Sequence, residues 1–229
     1  MNVKLLAQKI VRSIRAEGMQ TSLRKAPRYL IRSRRDVDDF DARYGTDTGG
    51  FEHIWQFRID SDNARFGTHY RATSERDLVQ ALTALPDDPR GLTFVDLGCG
   101  KGKTLIVAAR LGFRAVVGVE FAPELAAIAR TNVAKVGIQN AVVEHTDAAI
   151  FAFPDDPLVV YLYSPFSREV MEQVIANLGR SRAPLIYVVY KNPAYGESVL
   201  DGSGFLTRLG GVHKQSNIQI WRGPHTNHS

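Results

Sequence analysis

The ten residues Val95-Asp-Leu-Gly-Cys-Gly-Lys-Gly-Lys-Thr104 decide how this sequence is interpreted, because three glycines alternate with other residues directly after an apolar run. The run at 92–97 predicts a buried strand, and residues 103–112 predict a helix. A glycine-rich turn between a strand and a helix makes an anion site, since free N–H groups at the helix start point toward the ligand and missing Cβ atoms allow close approach. The stretch therefore predicts a nucleotide-binding turn.

Two phosphate-binding patterns are incomplete in this turn. The Walker A pattern ends in Gly-Lys-Thr, which residues 102–104 supply, but Leu97 occupies the position of the glycine needed five residues earlier. The dinucleotide pattern Gly-x-Gly-x-x-Gly requires a third glycine where this chain has Lys103. The turn thus favours neither a nucleoside triphosphatase nor a dinucleotide enzyme.

Strands and helices alternate along most of the chain. Apolar runs predict strands at 92–97, 115–120, 141–146, 158–163, 185–190, 205–210 and 217–222, and helical spacing predicts helices from Thr73 to Leu85 and at 103–112, 123–136 and 167–178. Such alternation is typical of a parallel sheet with helices on both faces. We therefore expect an α/β fold with a mostly parallel seven-stranded sheet that ends in an antiparallel C-terminal hairpin.

Basic residues are concentrated at the N-terminus. Residues 1–35 contain ten Lys and Arg and one acid, Glu17, whereas residues 36–229 contain nineteen basic and twenty-three acidic residues. The net charge of +5 therefore belongs to this arm, and a contact with nucleic acid or an anionic membrane is predicted there.

The arm has an apolar face at helical spacing, formed by Val3, Leu6, Ile10, Val11 and Ile14. Three interpretations stay open for this basic amphipathic helix: contact with anionic lipid, docking on its own domain or a dimer partner, or an organelle transit peptide. The turn-rich stretch at 40–50 marks a junction. We therefore expect a basic helical arm over residues 1–45 and a second domain over residues 46–229.

Composition sets further bounds. With 44% hydrophobic and 23% charged residues the chain can form one substantial core, and no apolar run reaches the roughly 18 residues of a membrane span. The single cysteine, Cys99, cannot form an internal disulfide, and no Cys/His cluster has metal-ligand spacing. We expect a cytoplasmic protein, free or membrane-peripheral, without a bound metal; the oligomeric state stays open.

The turn extends to Asp-x-Gly-x-Gly-x-Gly when Asp96 is included, and Glu120 ends the next predicted strand 24 residues later. With these features and "VVGVEFAPELAAIA" (116–129), the chain over residues 65–222 resembles the class I S-adenosylmethionine (SAM) dependent methyltransferases. It looks closest to bacterial members of unassigned substrate and is more distantly similar to the non-SET histone-lysine methyltransferases. The resemblance implies a Rossmann-like doubly wound sheet with SAM as cofactor.

The resemblance also implies roles for individual residues. SAM would lie over a turn that contains Asp96, Gly98, Cys99, Gly100 and Gly102, at the strand ends where the sheet order reverses. In addition, Glu120 would hold the ribose hydroxyls, Phe121 would flank the adenine, Asp147 would accept from the adenine amine, and Tyr70 and Thr73 would cover the methionine end.

The predicted fourth strand ends in Tyr163-Ser-Pro-Phe166, a partial match to the Asn/Asp-Pro-Pro-Tyr/Phe of amine-methylating relatives. Ser164 stands where the amide or acid would be, so it is a candidate both for positioning the acceptor and for cofactor contact. The alternative is a turn that ends the strand and packs Phe166. Residues near the same rim that could act as a base are Tyr163, Tyr190, Lys191 and Glu197, although a structural or solvent-facing role is the simpler interpretation of each.

These features together predict an enzyme that transfers the methyl group of SAM to an acceptor. A protein or peptide nitrogen and a small-molecule or glycan oxygen both stay open as acceptors, because family membership does not define the acceptor. The alternative is a non-catalytic module that binds SAM or a partner and acts through its basic arm.

Overall fold

A computed structural model describes residues 39–53, 69–163, 166–193, 196–211 and 217–223. The predicted helix of the arm and the candidate Ser164 lie outside these ranges. Within them, no helix is long and apolar enough to cross a membrane.

The described residues form a seven-stranded sheet, a two-stranded sheet and the helices around them. The helices are α1 (Phe40–Tyr44), α2 (Glu75–Thr83), α3 (Lys103–Arg110), α4 (Pro123–Lys135), α5 (Arg168–Leu178) and α6 (Glu197–Asp201), with a short 3-10 turn at Pro89–Gly91. The strands are β1 (Phe51–His53), β2 (His69–Arg71), β3 (Thr93–Leu97), β4 (Ala115–Glu120), β5 (Ala141–His145), β6 (Leu158–Tyr163), β7 (Ile186–Lys191), β8 (Thr207–Gly211) and β9 (Ile218–Arg222).

The large sheet has the order β5-β4-β3-β6-β7-β9-β8. The first five of these strands run parallel, and β9 runs antiparallel to both β7 and β8. The chain builds outward from β3 to β5 and then returns to add β6 on the other side of β3. Because this reversal opens a crevice at the carboxyl ends of β3 and β6, it fixes where a ligand can bind. The predicted Rossmann-like doubly wound sheet with an antiparallel C-terminal hairpin is confirmed.

Apolar side chains cover both faces of this sheet. One face packs Phe94, Val159 and Tyr161 against α2, α3 and α4. The opposite face packs Val160, Val188 and Trp221 against α5 and α6. The central strands are buried on both faces, which explains why β3, β6 and β7 are continuous apolar runs rather than alternating ones.

The stretch expected to be a turn-rich junction is more ordered than the sequence predicts. Its first residues form α1, whose Phe40 is fully buried in the core, and Gly45 ends the helix with a φ of 66°. The pair β1 and β2 was also not predicted; it aligns Glu52 with Tyr70. The domain boundary after residue 45 stays a prediction, to which the structure adds that Phe40 packs with the domain.

Candidate active site

The glycine turn folds back over the end of β4. Gly98, Gly100 and Gly102 have φ values of 87°, 55° and 83°, a region that residues with a Cβ rarely adopt. The N–H groups of Gly98 and Cys99 both donate to the carbonyl of Val119, at 2.8 and 3.0 Å. The alternating glycines therefore follow from the backbone path that joins β3 to α3.

Glu120 lies at the end of β4 and is buried beside the glycine turn. Its Oε2 accepts from the N–H of Gly100 at 2.8 Å, and its Oε1 accepts from the N–H of Ala122 at 2.9 Å. Burial raises the pKa of Glu120 to about 7, although these backbone hydrogen bonds lower it. Each carboxylate oxygen has a second lone pair, so the group can still accept from a diol.

Asp96 lies beneath the same turn, at the penultimate position of β3. Its carboxylate accepts a hydrogen bond from the hydroxyl of Thr104 in the first turn of α3. Burial raises the pKa of Asp96 to about 7; the Thr104 bond lowers it, and the nearby Glu120 raises it. The visible bond of Asp96 supports the start of α3, and its contact with a cofactor stays a prediction.

The ends of β4 and β5 are joined beside this turn. The N–H of Thr146 donates to the carbonyl of Glu120 at 3.1 Å, and Nε2 of His145 lies 3.1 Å from the carbonyl oxygen of Phe121. Asp147 follows, half-buried, and its Oδ1 accepts from the N–H of Ala149 at 2.9 Å. The structure thus brings Glu120, Phe121 and Asp147 to one edge of the sheet.

Thr73 and Tyr70 are the two residues predicted to cover the methionine end of SAM. Thr73 is buried, and its hydroxyl lies 3.3 Å from the hydroxyl of Tyr161 on β6. Tyr161 is aligned with Asp96 on the neighbouring strand, so Thr73 lies near the crevice. The backbone of Tyr70 belongs to β2.

The rim residues named as potential bases have structural partners. The ammonium of Lys191 lies 2.6 Å from Oδ2 of Asp77 on α2 and 5.2 Å from the centre of the Tyr163 ring. Tyr190 is buried on the α5 side of the sheet, and Glu197 pairs with Arg208 at 3.4 Å. These contacts suit a structural role for Lys191, Tyr190 and Glu197.

The structure also places supporting residues around the turn that the sequence does not reveal. Thr104 bonds Asp96, and the buried pair Lys101 and Asn132 joins the turn to residues 47–49. Thr104 could have been suspected from its place in the first turn of a helix. No local pattern marks Asn132, since one of its partners lies 85 residues away. No group of His, Cys, Asp and Glu within the described ranges could hold a metal ion.

Comparisons with known proteins agree with this geometry. Residues 94–184 match a family described as methyltransferase domain. Over 128 residues, which are 53% of this chain and 45% of the relative, the chain is 36% identical to ribosomal protein L11 methyltransferase of Deinococcus radiodurans. The chain thus spans less than half the length of that curated relative.

Solved structures support the same fold. A SAM dependent methyltransferase from Aquifex aeolicus aligns with a TM-score of 0.50 at 18% identity, over 64% of this chain and 87% of that one. A protein from Haemophilus influenzae described as a methylase aligns with a TM-score of 0.52 at 19% identity, over 66% of this chain and 98% of that one.

The strand order, the glycine turn and the acid that ends β4 define a class I methyltransferase domain. Residues 94–184, which match the methyltransferase domain family, contain this glycine turn and Glu120, and their geometry fits SAM as a cofactor.

Proposed function

We propose that this protein transfers the methyl group of SAM to a nitrogen of a protein acceptor. The observation that carries the cofactor half of the proposal is the hydrogen bond from the N–H of Gly100 to the buried Glu120. It places a carboxylate, which can accept from a diol, beside a turn of three left-handed glycines. This turn leads into the N-terminus of α3, where the carboxylate of a ligand can bind.

In this proposal the chain's own residues orient the cofactor. Glu120 accepts from the ribose hydroxyls, Phe121 flanks the adenine, and Asp147 accepts from the adenine amine. SAM lies over the turn that contains Gly98, Cys99, Gly100 and Gly102. Its methionine carboxylate faces the first N–H groups of α3. Asp96 holds the start of α3 through Thr104, while Tyr70 and Thr73 cover the methionine end.

Positioning is the main catalytic contribution that we assign to the protein. The sulfonium of SAM supplies a methyl group that is already activated, so the protein has to align the acceptor and exclude water. Such alignment can supply roughly 7–11 kcal/mol of barrier lowering. Ser164, which follows β6 directly, is our candidate for positioning the acceptor.

A protein acceptor is supported by the named relative. That relative is a ribosomal protein L11 methyltransferase, and the matching part covers 53% of this chain. A small-molecule or glycan oxygen is the competing acceptor, because the chain has Tyr-Ser-Pro-Phe where amine-methylating relatives have an amide or acid before two prolines.

Labelled SAM separates these acceptors. The protein is incubated with a cell extract and SAM that carries a labelled methyl group, and the extract is divided into protein, small-molecule and glycan fractions. Label in a protein band that survives base treatment, which removes methyl esters, supports nitrogen methylation. Label confined to the other fractions contradicts the protein acceptor and leaves methyl transfer intact.

The variant Glu120→Ala tests the proposed role of Glu120 in SAM binding. It should weaken SAM binding by about 1–3 kcal/mol, the scale for hydrogen bonds to a charged group. Asp155→Ala is the control, since Asp155 bonds the N–H of Arg182, outside the proposed site. Calorimetric titration that gives equal affinities for both variants contradicts the ribose assignment.

We propose separately that residues 1–35 attach the protein to an anionic surface, a membrane being the one that best suits an amphipathic basic helix. The support is the charge distribution, with ten basic residues and one acidic residue in this segment.

A further inference from the structure

Residues 40–49, here called the bracket, fold around a single carboxylate. Oδ1 of Asp41 accepts from the hydroxyl of Thr46 at 2.7 Å and from the N–H and hydroxyl of Thr48 at 2.8 and 2.7 Å. Its Oδ2 accepts from the N–H of Gly49 at 2.7 Å. Thr48 is fully buried. The bracket therefore has a fixed conformation of its own, although its sequence reads as a series of turns.

Asn132 on α4 joins the bracket to the glycine turn. Its Nδ2 donates to the carbonyl of Asp47 and to the carbonyl of Lys101, both at 2.9 Å, and its Oδ1 accepts from the N–H of Asp47 at 3.0 Å. The side chain is buried, so both amide protons and the oxygen are used within the protein. One side chain thus fixes the backbone of two segments that are far apart in sequence.

Lys101 makes the second connection. It stands between Gly100 and Gly102, is buried, and its Nζ donates to the carbonyl of Gly49 at 3.2 Å and to Oδ1 of Asp47 at 3.3 Å. Two residues further on, the ammonium of Lys103 lies 4.8 Å from the centre of the Phe40 ring. The middle of the glycine turn is therefore held through both its main chain and a side chain.

We propose that Asn132, with the bracket that it holds, is a positioning element for the SAM site. A turn with three left-handed glycines samples many conformations when it is free, and ordering it on binding lowers the affinity. Asn132 and Lys101 order the turn before the ligand arrives, so Glu120 and the start of α3 are already in place. The inference rests on the proposed function, since it assumes that SAM lies over this turn.

The test compares Asn132→Ala with Asn140→Ala. Asn140 is the matched control because its Nδ2 also donates to a backbone carbonyl of a distant segment, that of Phe113 at 2.7 Å, but away from the glycine turn. Calorimetric titration with SAM and with its demethylated product should show affinity about tenfold weaker for Asn132→Ala, the scale for losing one to two net hydrogen bonds. Asn140→Ala should bind like the wild type.

Hydrogen exchange, measured without ligand, distinguishes a local loss of order in the glycine turn from a general loss of stability. Amides of residues 98–102 and of Asp47 should exchange faster in Asn132→Ala and unchanged in Asn140→Ala. If Asn132→Ala does not fold, Lys101→Met replaces it, because it removes the ammonium group that contacts Gly49 and Asp47; the same changes, smaller in size, are expected.

The outcomes separate the two proposals. A wild-type protein that binds SAM, with an Asn132→Ala variant that binds equally well and exchanges equally slowly, overturns the positioning role alone. A wild-type protein that binds neither ligand overturns the proposed function and, with it, the role of Asn132 in SAM binding.

Discussion

Gly118 shows at the scale of one residue how tightly the site is packed. It lies in β4 below the glycine turn, where an added Cβ would come 2.6 Å from Cδ1 of Leu105 and 2.7 Å from Sγ of Cys99. Gly118→Ala should therefore destabilise the protein by about 1–3 kcal/mol, the usual cost of overpacking a core. Urea unfolding measures this change.

Gly91→Ala is the control for that substitution, because a Cβ at Gly91 meets nothing within 4 Å. If both variants have the same unfolding midpoint, then the packing of Leu105 and Cys99 around Gly118 is not as close as the distances indicate.

Glu120 predicts a pH dependence of stability. Burial raises its pKa from 4.5 to about 7, so the folded protein holds this proton to a higher pH than the unfolded chain does. The stability linked to the proton is fully present below about pH 4.5 and is lost as the pH rises to about 7, a loss of up to about 3 kcal/mol. Glu120→Gln lacks this contribution.

Denaturant unfolding at several pH values tests the prediction. The difference in unfolding free energy between wild type and Glu120→Gln should change in favour of the variant from pH 4.5 to 7. Asp96, which also has a pKa raised to about 7, and the buried thiol of Cys99 are the neighbouring titratable groups and remain in the variant. A difference that stays constant with pH contradicts a buried, protonated Glu120.

The same carboxyl predicts proton release on cofactor binding. If its ionised form accepts from the ribose hydroxyls, then SAM favours that form and lowers the raised pKa of Glu120. Calorimetric titrations at pH 6 should give enthalpies that depend on the ionisation enthalpy of the buffer, and Glu120→Gln should lose most of that dependence. Identical enthalpies in two buffers for the wild type mean that Glu120 does not ionise on binding.

At the scale of elements, the sequence predicts what local patterns determine. The five parallel strands are apolar runs, and α2 begins after Ser74, whose side chain accepts from the N–H of Asp77 as an N-cap should. Gly112 and Gly137, with φ values of 88° and 73°, follow α3 and α4 as the left-handed glycines that commonly end helices. These signals lie within a few residues of the feature they specify.

The features that were not predicted depend on contacts between distant residues. The glycines and threonines of the bracket favour turns and predict a junction, whereas its order depends on Asn132, which lies 85 residues after Asp47. Likewise, Asp77 and Lys191 are in contact although they lie 114 residues apart in the sequence. The proximity of Asp96, Glu120 and Asp147 could be predicted from the sequence, because the carboxyl ends of parallel strands lie at the same side of a sheet.

The pair Lys191 and Asp77 ties two elements of the crevice together, since α2 bears Asp77 and β7 ends at Lys191. Lys191→Met leaves the stem but removes the ammonium, and it should destabilise the protein by about 2 kcal/mol. This is less than the 3–5 kcal/mol for a fully buried pair, because the side chain of Asp77 is 30% exposed. Thermal and urea unfolding measure the change.

Arg168→Met is the control, since Arg168 and Glu172 form an exposed pair on α5 for which we expect less than about 1 kcal/mol. Adding Asp77→Asn to Lys191→Met should cost less than the two single changes together. Strict additivity indicates that the two groups do not interact in solution.

At the scale of the whole molecule, charge is divided between the arm and the rest. Residues 1–35 carry ten basic groups and one acid, whereas residues 36–229 carry nineteen basic and twenty-three acidic groups. An anionic surface therefore attracts the first segment and weakly repels the second. We infer that surface attachment and cofactor binding use separate parts of the chain, because the excess of basic residues lies in residues 1–35 and the residues proposed to bind SAM lie between Tyr70 and Ser164.

This separation predicts the effect of neutralising the arm. Changing its Lys and Arg residues to Gln should abolish binding to vesicles that contain phosphatidylserine, since each basic residue near such a surface contributes about 1 kcal/mol, and should leave SAM affinity unchanged. Vesicle co-sedimentation at low and high salt, with neutral vesicles as control, measures the first effect, and calorimetry the second. Retention that persists in the neutralised variant would assign attachment to the apolar face instead, whereas retention only on nucleic acid would replace the membrane as the partner of the arm.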